Sequence, residues 1–561
     1  MIADLKRFLR PSKASPAATR RRPITPWPSF HPPKATRRRA VLTLFTIGLA
    51  VLFLTSCGHR RSFRLLSGSE NEPLQPIIKE FAEKQGYNID FTYKGSVDIM
   101  LELQSDSTPI DAVWPASGLW ITLGDQHHRV KYAKSILTSP VVFGIKKSLA
   151  QKLDFIGHPV KVADILNAIK SKQLKFMMTS ASQSNSGASA YFGFLYALLG
   201  NPEYITKEDL HKPELKTQIR QLLQGIHRSS GSSGWLKDLF LQGNGQYDAM
   251  VNYEAIIIET NQELIKRNQE PLYVIYPTDG LVIADSQLGY VDQGDKEKEA
   301  FFRKLQDYLT SPEVQNKLLQ LGRRTGFAGE LSNAPADVFK ADWGIDTKKI
   351  LSPIKLPGED VIREALSLYQ TEFRKPSLTV FCLDFSASMS TNNGAEQVKK
   401  AMQLLLDQQQ ARQFFLQASD DDRLVIIPFN NALLPGWSVA GNQPDTLNAI
   451  LQQIIALQPD GGTDIYSPAI QGLETIKQLD TANAYIPAVI LMTDGESNTG
   501  KHFDDLESVY TGNNFDIPIF AITFGDASDT QLKQITGLTR GYLFDGKKDL
   551  ITAFRKAKGY N

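Results

Sequence analysis

Apolar runs that stop abruptly at a short polar sequence recur along the second half of this chain, at residues 378–383, 424–428, 488–492 and 517–523. Between them lie segments near 395–408, 445–456, 465–478 and 529–535 whose apolar residues return at helical spacing. A continuous apolar, β-branched run is how a strand covered on both faces is written. Strand and helix in turn predict a doubly wound α/β domain around a parallel sheet.

The first half repeats the theme in shorter pieces. The run from Phe63 ends in Ser67-Gly68-Ser69 before an amphipathic stretch at 73–85, and 91–94 leads through Gly95 and Ser96 into a second predicted helix. Residues 110–116 lead into Ser117 and a third, and the run from Met178 leads into Ser184-Asn185-Ser186-Gly187 and a fourth. A strand that ends in hydroxyl residues before a helix aims hydroxyls and backbone N–H groups into a crevice. Any one of these Ser or Gly residues alone would read as a turn or cap. Their recurrence at strand ends is what carries the signal.

Between the halves the pattern breaks at Pro335, Pro353 and Pro357, while 360–373 keeps a helix-like spacing suited to packing against one of the cores. The predicted division is 1–56, 57–327, 328–375 and 376–561, with the third segment as the connection.

Charge changes the picture at the N-terminus. Residues 1–39 carry eleven Lys or Arg against Asp4 alone, and 40–56 carry no charge. That combination reads as a secretory signal or a membrane span. The whole chain has 62 basic and 60 acidic residues, but residues 57–561 keep only 51 basic against 59 acidic. The mature part is therefore acidic, which argues against a nucleic-acid partner. The eight His residues, His127 and His128 adjacent among them, show no zinc-site spacing. Cys382 sits inside an apolar run and reads as a small buried hydrophobe.

The polar sequences supply the chemistry. Asp384-Phe385-Ser386-Ala387-Ser388 follows the first strand of the second half, Gly461-Gly462-Thr463-Asp464 precedes a helix, and Asp494-Gly495 follows another strand. A carboxylate with hydroxyls at alternate positions offers hard oxygen ligands for Mg2+ or Mn2+ rather than for zinc. From about residue 376 to 561 the sequence closely resembles the von Willebrand factor A domain, whose metal-ion-dependent adhesion site has the form Asp-x-Ser-x-Ser, then Thr, then Asp. All five positions match. The resemblance implies that Ser386, Ser388 and Thr463 bind the ion directly, with Asp384 and Asp494 acting through water. The ion is expected to be Mg2+, with Mn2+ or Ca2+ as alternatives. Its open position would take a carboxylate from a partner protein.

The first half resembles the extracellular solute-binding proteins of the type II periplasmic fold, in which two α/β lobes close on a ligand. Besides the strand-end motifs, the resemblance draws on 139–145, which looks like the crossing between lobes, and on 247–254, 300–305 and 311–323. It implies Ser67, Ser69, Ser96, Ser117, Ser186 and Tyr253 as cleft residues. Their neutral donors suit a small solute or anion, although Glu70, Asp111 and Glu254 nearby would repel an anion. Leu54-Thr55-Ser56-Cys57 resembles the lipobox of bacterial lipoproteins, which implies cleavage before Cys57 and a lipid on it, with the protein facing the periplasm or exterior.

Three functions compete at this level. The first is a lipid-anchored extracytoplasmic binding protein that couples metal-dependent partner binding to a solute-binding-like module. The second is the substrate-binding component of an ABC-type transport system. The third is a metal-dependent hydrolase, disfavoured because no nucleophile and base occur in a suitable loop context. The expectation is therefore not an enzyme.

Overall fold

The computed structural model describes residues 60–559 apart from 106–108, 327–330, 332, 349–350, 392, 481–483, 495, 525–528 and 548–549. The expectations for the N-terminal segment and for Cys57 lie outside the described residues.

Nine strands build the first sheet: β1 (Arg61–Gly68), β2 (Tyr87–Lys94), β3 (Ala112–Trp114), β4 (Val130–Lys146), β5 (Phe176–Thr179), β6 (Ile226–Ser230), β7 (Ala249–Tyr253), β8 (Leu272–Ile275) and β9 (Val282–Val291). Their order is β2-β1-β3-β9-β4-β7-β5-β6, with β8 also on β4. The parallel trio β2-β1-β3 belongs to a first lobe, and parallel β7-β5-β6 to a second. The 17-residue β4 runs antiparallel to β9 along its first part and to β7 and β8 along its last, so it carries the chain from lobe to lobe. Residues 139–145 lie in that crossing.

Each lobe has its own core. In the first, Phe301 stacks on Tyr87 with ring centroids 4.0 Å apart and meets Phe63 edge-on at 5.0 Å. The core of the second extends into the connection. Helix Glu359–Leu368 and the turn Tyr369–Phe373 bury Ile362, Ala365, Leu366 and Phe373 in it, and the Tyr191 hydroxyl donates to the Ala365 carbonyl (2.9 Å). The helix-like spacing at 360–373 thus becomes a strut on the second lobe.

Six further strands form the second sheet: β10 (Ser377–Asp384), β11 (Arg423–Phe429), β12 (Trp437–Ala440), β13 (Ile486–Thr493), β14 (Ile519–Thr523) and β15 (Leu543–Asp545), ordered β12-β11-β10-β13-β14-β15. All pairs are parallel except edge strand β12 on β11. The period of two along β10 shows why its run is continuously apolar. Phe381 and Leu383 enter the core on one face, Val380 and Cys382 the core on the other. Helices Gly394–Leu406, Pro444–Ala456 and Leu550–Gly559 cover the first face, and Tyr466–Leu479, Phe503–Gly512 and Asp529–Thr539 the second. The strand order reverses between β10 and β13. In such sheets the crevice beyond the carboxyl ends of the strands at that reversal is where ligands bind.

Candidate metal centre and solute cleft

Asp384 is the last residue of β10, and Asp494 follows the last residue of the neighbouring β13, so the switch point brings the two carboxylates together. Asp384 is fully buried. Its Oδ1 accepts the Ser386 amide (2.7 Å), which bends the chain so that Ser386 and Ser388 face the same crevice, and its Oδ2 accepts the Thr493 hydroxyl. Ser388 Oγ donates to Asp494 Oδ1 (2.8 Å) and lies 3.1 Å from Ser386 Oγ. The Thr463 loop is held against this turn by two backbone bonds, Ala387 N to the Gly461 carbonyl (3.0 Å) and Asp460 N to the Phe385 carbonyl (2.9 Å). Thr463 is itself fixed by its amide, which donates to Asn498 Oδ1 (3.0 Å).

The electrostatics suit a cation. Burial pushes the Asp384 carboxyl up to about 6 against the hydrogen bonds from Thr493 and Ser386, and Asp494 adds to the rise. Burial also raises Asp494. Among the described residues no basic side chain balances either group, so the crevice holds negative charge that a divalent ion would offset. No described cluster of three His, Cys, Asp or Glu side chains could hold a metal. The candidate set here is two carboxylates and three hydroxyls, a hard-oxygen donor set. It grades from buried Asp384 to exposed Ser388, leaving one side open to solvent.

Three further residues support the site: Thr493 and Asn498, which the sequence does not single out, and Asp464, which stands in the quoted motif without an assigned role. Thr493 orients Asp384, and Asn498 fixes Thr463. Asp464 accepts from the Tyr466 and Ser467 amides and the Ser467 hydroxyl, fixing the start of helix Tyr466–Leu479. Only Asp464 had a local signal, as an acidic residue just before a helix.

In the first half the lobes are closed on one another. Ser69 Oγ meets Ser232 Oγ of the opposite lobe and accepts the Gly234 amide (2.9 Å). Trp120 Nε1 donates to Asn185 Oδ1 (2.7 Å), and the Val97 amide to the Gln183 carbonyl (3.0 Å), both across the gap. Of the expected cleft residues, Ser186 bonds Thr179 and Ser233, each at 2.8 Å, while Tyr253 accepts from Asn185 (2.9 Å). Ser67 accepts from Asn71 (3.2 Å), and Ser96 accepts the Ala116 amide (3.1 Å) within the first lobe. Ser117 is half-buried and accepts the amide of Leu119 at the start of helix Leu119–Gly124 (3.3 Å), a local contact within the first lobe. Asn185, which stands in a quoted strand-end motif without an assigned role, and Ser232 and Ser233, which the sequence does not single out, complete the hydroxyl and amide lining.

The acidic residues divide. Glu254 is gripped by Arg324 through Nε and Nη2, each at 2.7 Å, and receives the Tyr276 hydroxyl. Asp111 pairs with Lys298 at 2.9 Å. Both are compensated where the sequence suggested repulsion. Glu70 remains: burial raises its carboxyl to about 7, and its Oε1 has no hydrogen-bond partner. It lies in the turn Ser69–Leu74, which intervenes before helix Gln75–Lys84 where direct entry into a helix was expected.

Comparison with known proteins finds two family matches along the chain. Residues 64–324 match the family model described as bacterial extracellular solute-binding protein, and 379–550 match the von Willebrand factor type A domain. No curated protein matches the chain. Among solved structures, the sulfate-binding protein SubI from Mycobacterium tuberculosis H37Rv is 17% identical over 54% of this chain and 96% of its own, with a TM-score of 0.38. The ferric binding protein from Campylobacter jejuni is 16% identical over 55% and 98%, with a TM-score of 0.38. The periplasmic binding protein AfuA from Actinobacillus pleuropneumoniae is 13% identical over 55% and 94%, with a TM-score of 0.36. Modules of the two matched types typically bind rather than catalyse. The chain thus joins a bacterial extracellular solute-binding domain to a von Willebrand factor type A domain.

Proposed function

We propose that this protein is an extracytoplasmic binding protein whose von Willebrand factor A domain holds a divalent cation and presents it to a carboxylate of a partner protein, beside a solute-binding module. The observation that carries the reading is the uncompensated pair Asp384 and Asp494 meeting the Ser386 and Ser388 hydroxyls at the switch point of the sheet. Ser386, Ser388 and Thr463 would bind the ion directly, with Asp384 and Asp494 acting through water. The ion, Mg2+ first with Mn2+ or Ca2+ as alternatives, would supply positive charge and an open coordination position. The chain's own part is to hold the hydroxyls on rigid strand ends and to leave the Ser388 side accessible.

Extracellular solute-binding domains work outside the cytoplasm, which supports the same location here, and Cys57 would carry the lipid that anchors the chain. No described helix is long and apolar enough to cross a membrane. A second reading, the substrate-binding component of an ABC-type transporter, draws on the hydroxyl-lined cleft between the lobes. In it the solute is the main ligand and the A domain a tether.

Calorimetric titration with Mg2+ tests the metal site. Binding is expected in the wild type and its loss in Asp384→Ala, with far-UV circular dichroism unchanged. An identical titration in a folded Asp384→Ala protein would refute the site.

A further inference from the structure

Helix Leu550–Gly559 belongs to the A domain by packing, yet its other side touches both lobes of the solute-binding domain. Ala553, Phe554 and Ala557 enter the core of the second sheet, and Phe554 stacks on Phe381 of β10 (5.5 Å between centroids, 20° between planes), three residues before Asp384. On the opposite side, Arg555 donates through Nε and Nη2 to Asp98 Oδ1 of the first lobe (2.7 Å each). Its Nη2 also reaches the Ser182 carbonyl of the second lobe (3.0 Å), and Gln183 of that lobe donates to the Arg555 carbonyl. One guanidinium therefore holds a residue from each lobe.

The contacts on either side agree with a clasp. Lys94 of the first lobe donates to Thr552 (2.9 Å), and Lys556 lies over the Trp235 ring of the second (4.6 Å). Arg555 and Asp98 are only 3% and 5% exposed, so the ion pair is desolvated and depends on its geometry. Directly beneath it the Val97 amide reaches the Gln183 carbonyl across the gap. Parting the lobes about the β4 and β9 crossing moves Asp98 away from Ser182 and Gln183. Arg555 cannot follow both.

We propose that this helix is a latch: it holds the two lobes closed, and solute entry requires Arg555 to release one of them. The inference deepens the function proposed above and rests on its reading of the gap between lobes as the solute cleft. The same helix leans on the strand that ends in Asp384. A shift of the helix on lobe opening would reach the A-domain crevice through this stack, and any such linkage runs in both directions. Removing Arg555 leaves Asp98 as an unpaired carboxylate in the closed state, and opening the lobes hydrates it. The closed state is then the disfavoured one.

Hydrogen exchange of the full chain, without solute or metal, reads lobe closure at two amides that donate across the gap, Val97 and Gly234. In Arg555→Ala both are expected to exchange roughly tenfold faster or more, as loss of a charge-assisted buried bond implies, with β10 and β13 as protected as in the wild type. Wild-type exchange at both amides in a folded Arg555→Ala protein would overturn the latch. Should Arg555→Ala also unprotect β10 and β13, Asp98→Asn decides, because it weakens the clasp from the first lobe and leaves the helix in its seat. Several-fold faster exchange at Gly234 supports the latch, and an unchanged rate overturns it. Since no solute or metal enters this experiment, a failed latch leaves both binding readings standing, and Mg2+ titration of the same samples judges the metal site by itself.

Discussion

At Gly95 a single methyl group decides whether the two lobes can meet. A Cβ there would stand 2.3 Å from the Gln183 carbonyl oxygen and 2.6 Å from that of Gly231, both backbone atoms of the opposite lobe. Backbone of this kind cannot give way as the end of a flexible side chain does. Gly95→Ala is therefore expected to fold, because the clash is between lobes and not within one, but to hold the cleft ajar. Small-angle scattering would show a larger radius of gyration than the wild type at equal helix content; an unchanged radius would contradict the direct contact. Asp384 shows the opposite kind of residue, fixed by what it binds rather than by what it lacks. Its place was legible in the sequence because a buried strand ends in it. Its orientation by Thr493 was not, since that contact depends on β13 lying beside β10, a fact of topology and not of local pattern.

The elements that were legible are those whose pattern is set by one simple environment. β10 and β13 are covered on both faces and read as apolar runs. β12 and β15 escaped because one is a four-residue edge and the other has three residues. Helix Leu550–Gly559 escaped for a different reason. It has two jobs, so Thr552, Arg555, Lys556 and Lys558 interrupt the apolar stripe that a core helix would show. The end of the connecting strut is similarly mixed. Burial alone would raise the Asp422 carboxyl, but the Arg374 guanidinium, with the Ser377 amide at 2.7 Å, outweighs burial and holds it at about 2. A carboxyl whose folded value lies below its unfolded 3.8 contributes stability in full above that pH and loses it as pH falls toward 2. Asp422 is expected to contribute about 2 kcal/mol of stability that disappears across that window. Asp422→Asn should flatten this part of the stability-versus-pH curve measured by urea unfolding, and a curve of the same slope would count against the pairing.

The second lobe and the A domain share a second junction away from the latch, and its chemistry bears on whether they unfold as one body. Arg228 of β6 is almost completely buried and pairs with Asp516 (3.0 Å), which also receives Arg540 (2.7 Å) and the Gln246 amide (2.9 Å). Two guanidiniums from different domains thus depend on one carboxylate, with Arg228 Nη2 touching the Arg540 carbonyl as well (3.4 Å). Such a cluster gives little net stability when intact, since desolvating the charges offsets much of their attraction, but removing one member leaves a buried charge unpaired. Asp516 is partly open to water, at 23% side-chain exposure, which moderates the penalty. Asp516→Ala is expected to cost about 2 kcal/mol and to uncouple the two bodies. Differential scanning calorimetry is expected to show one transition for the wild type and a second, lower one for the variant. A variant that still melts in a single transition at the wild-type temperature would mean that the latch and the strut, and not this cluster, join the domains.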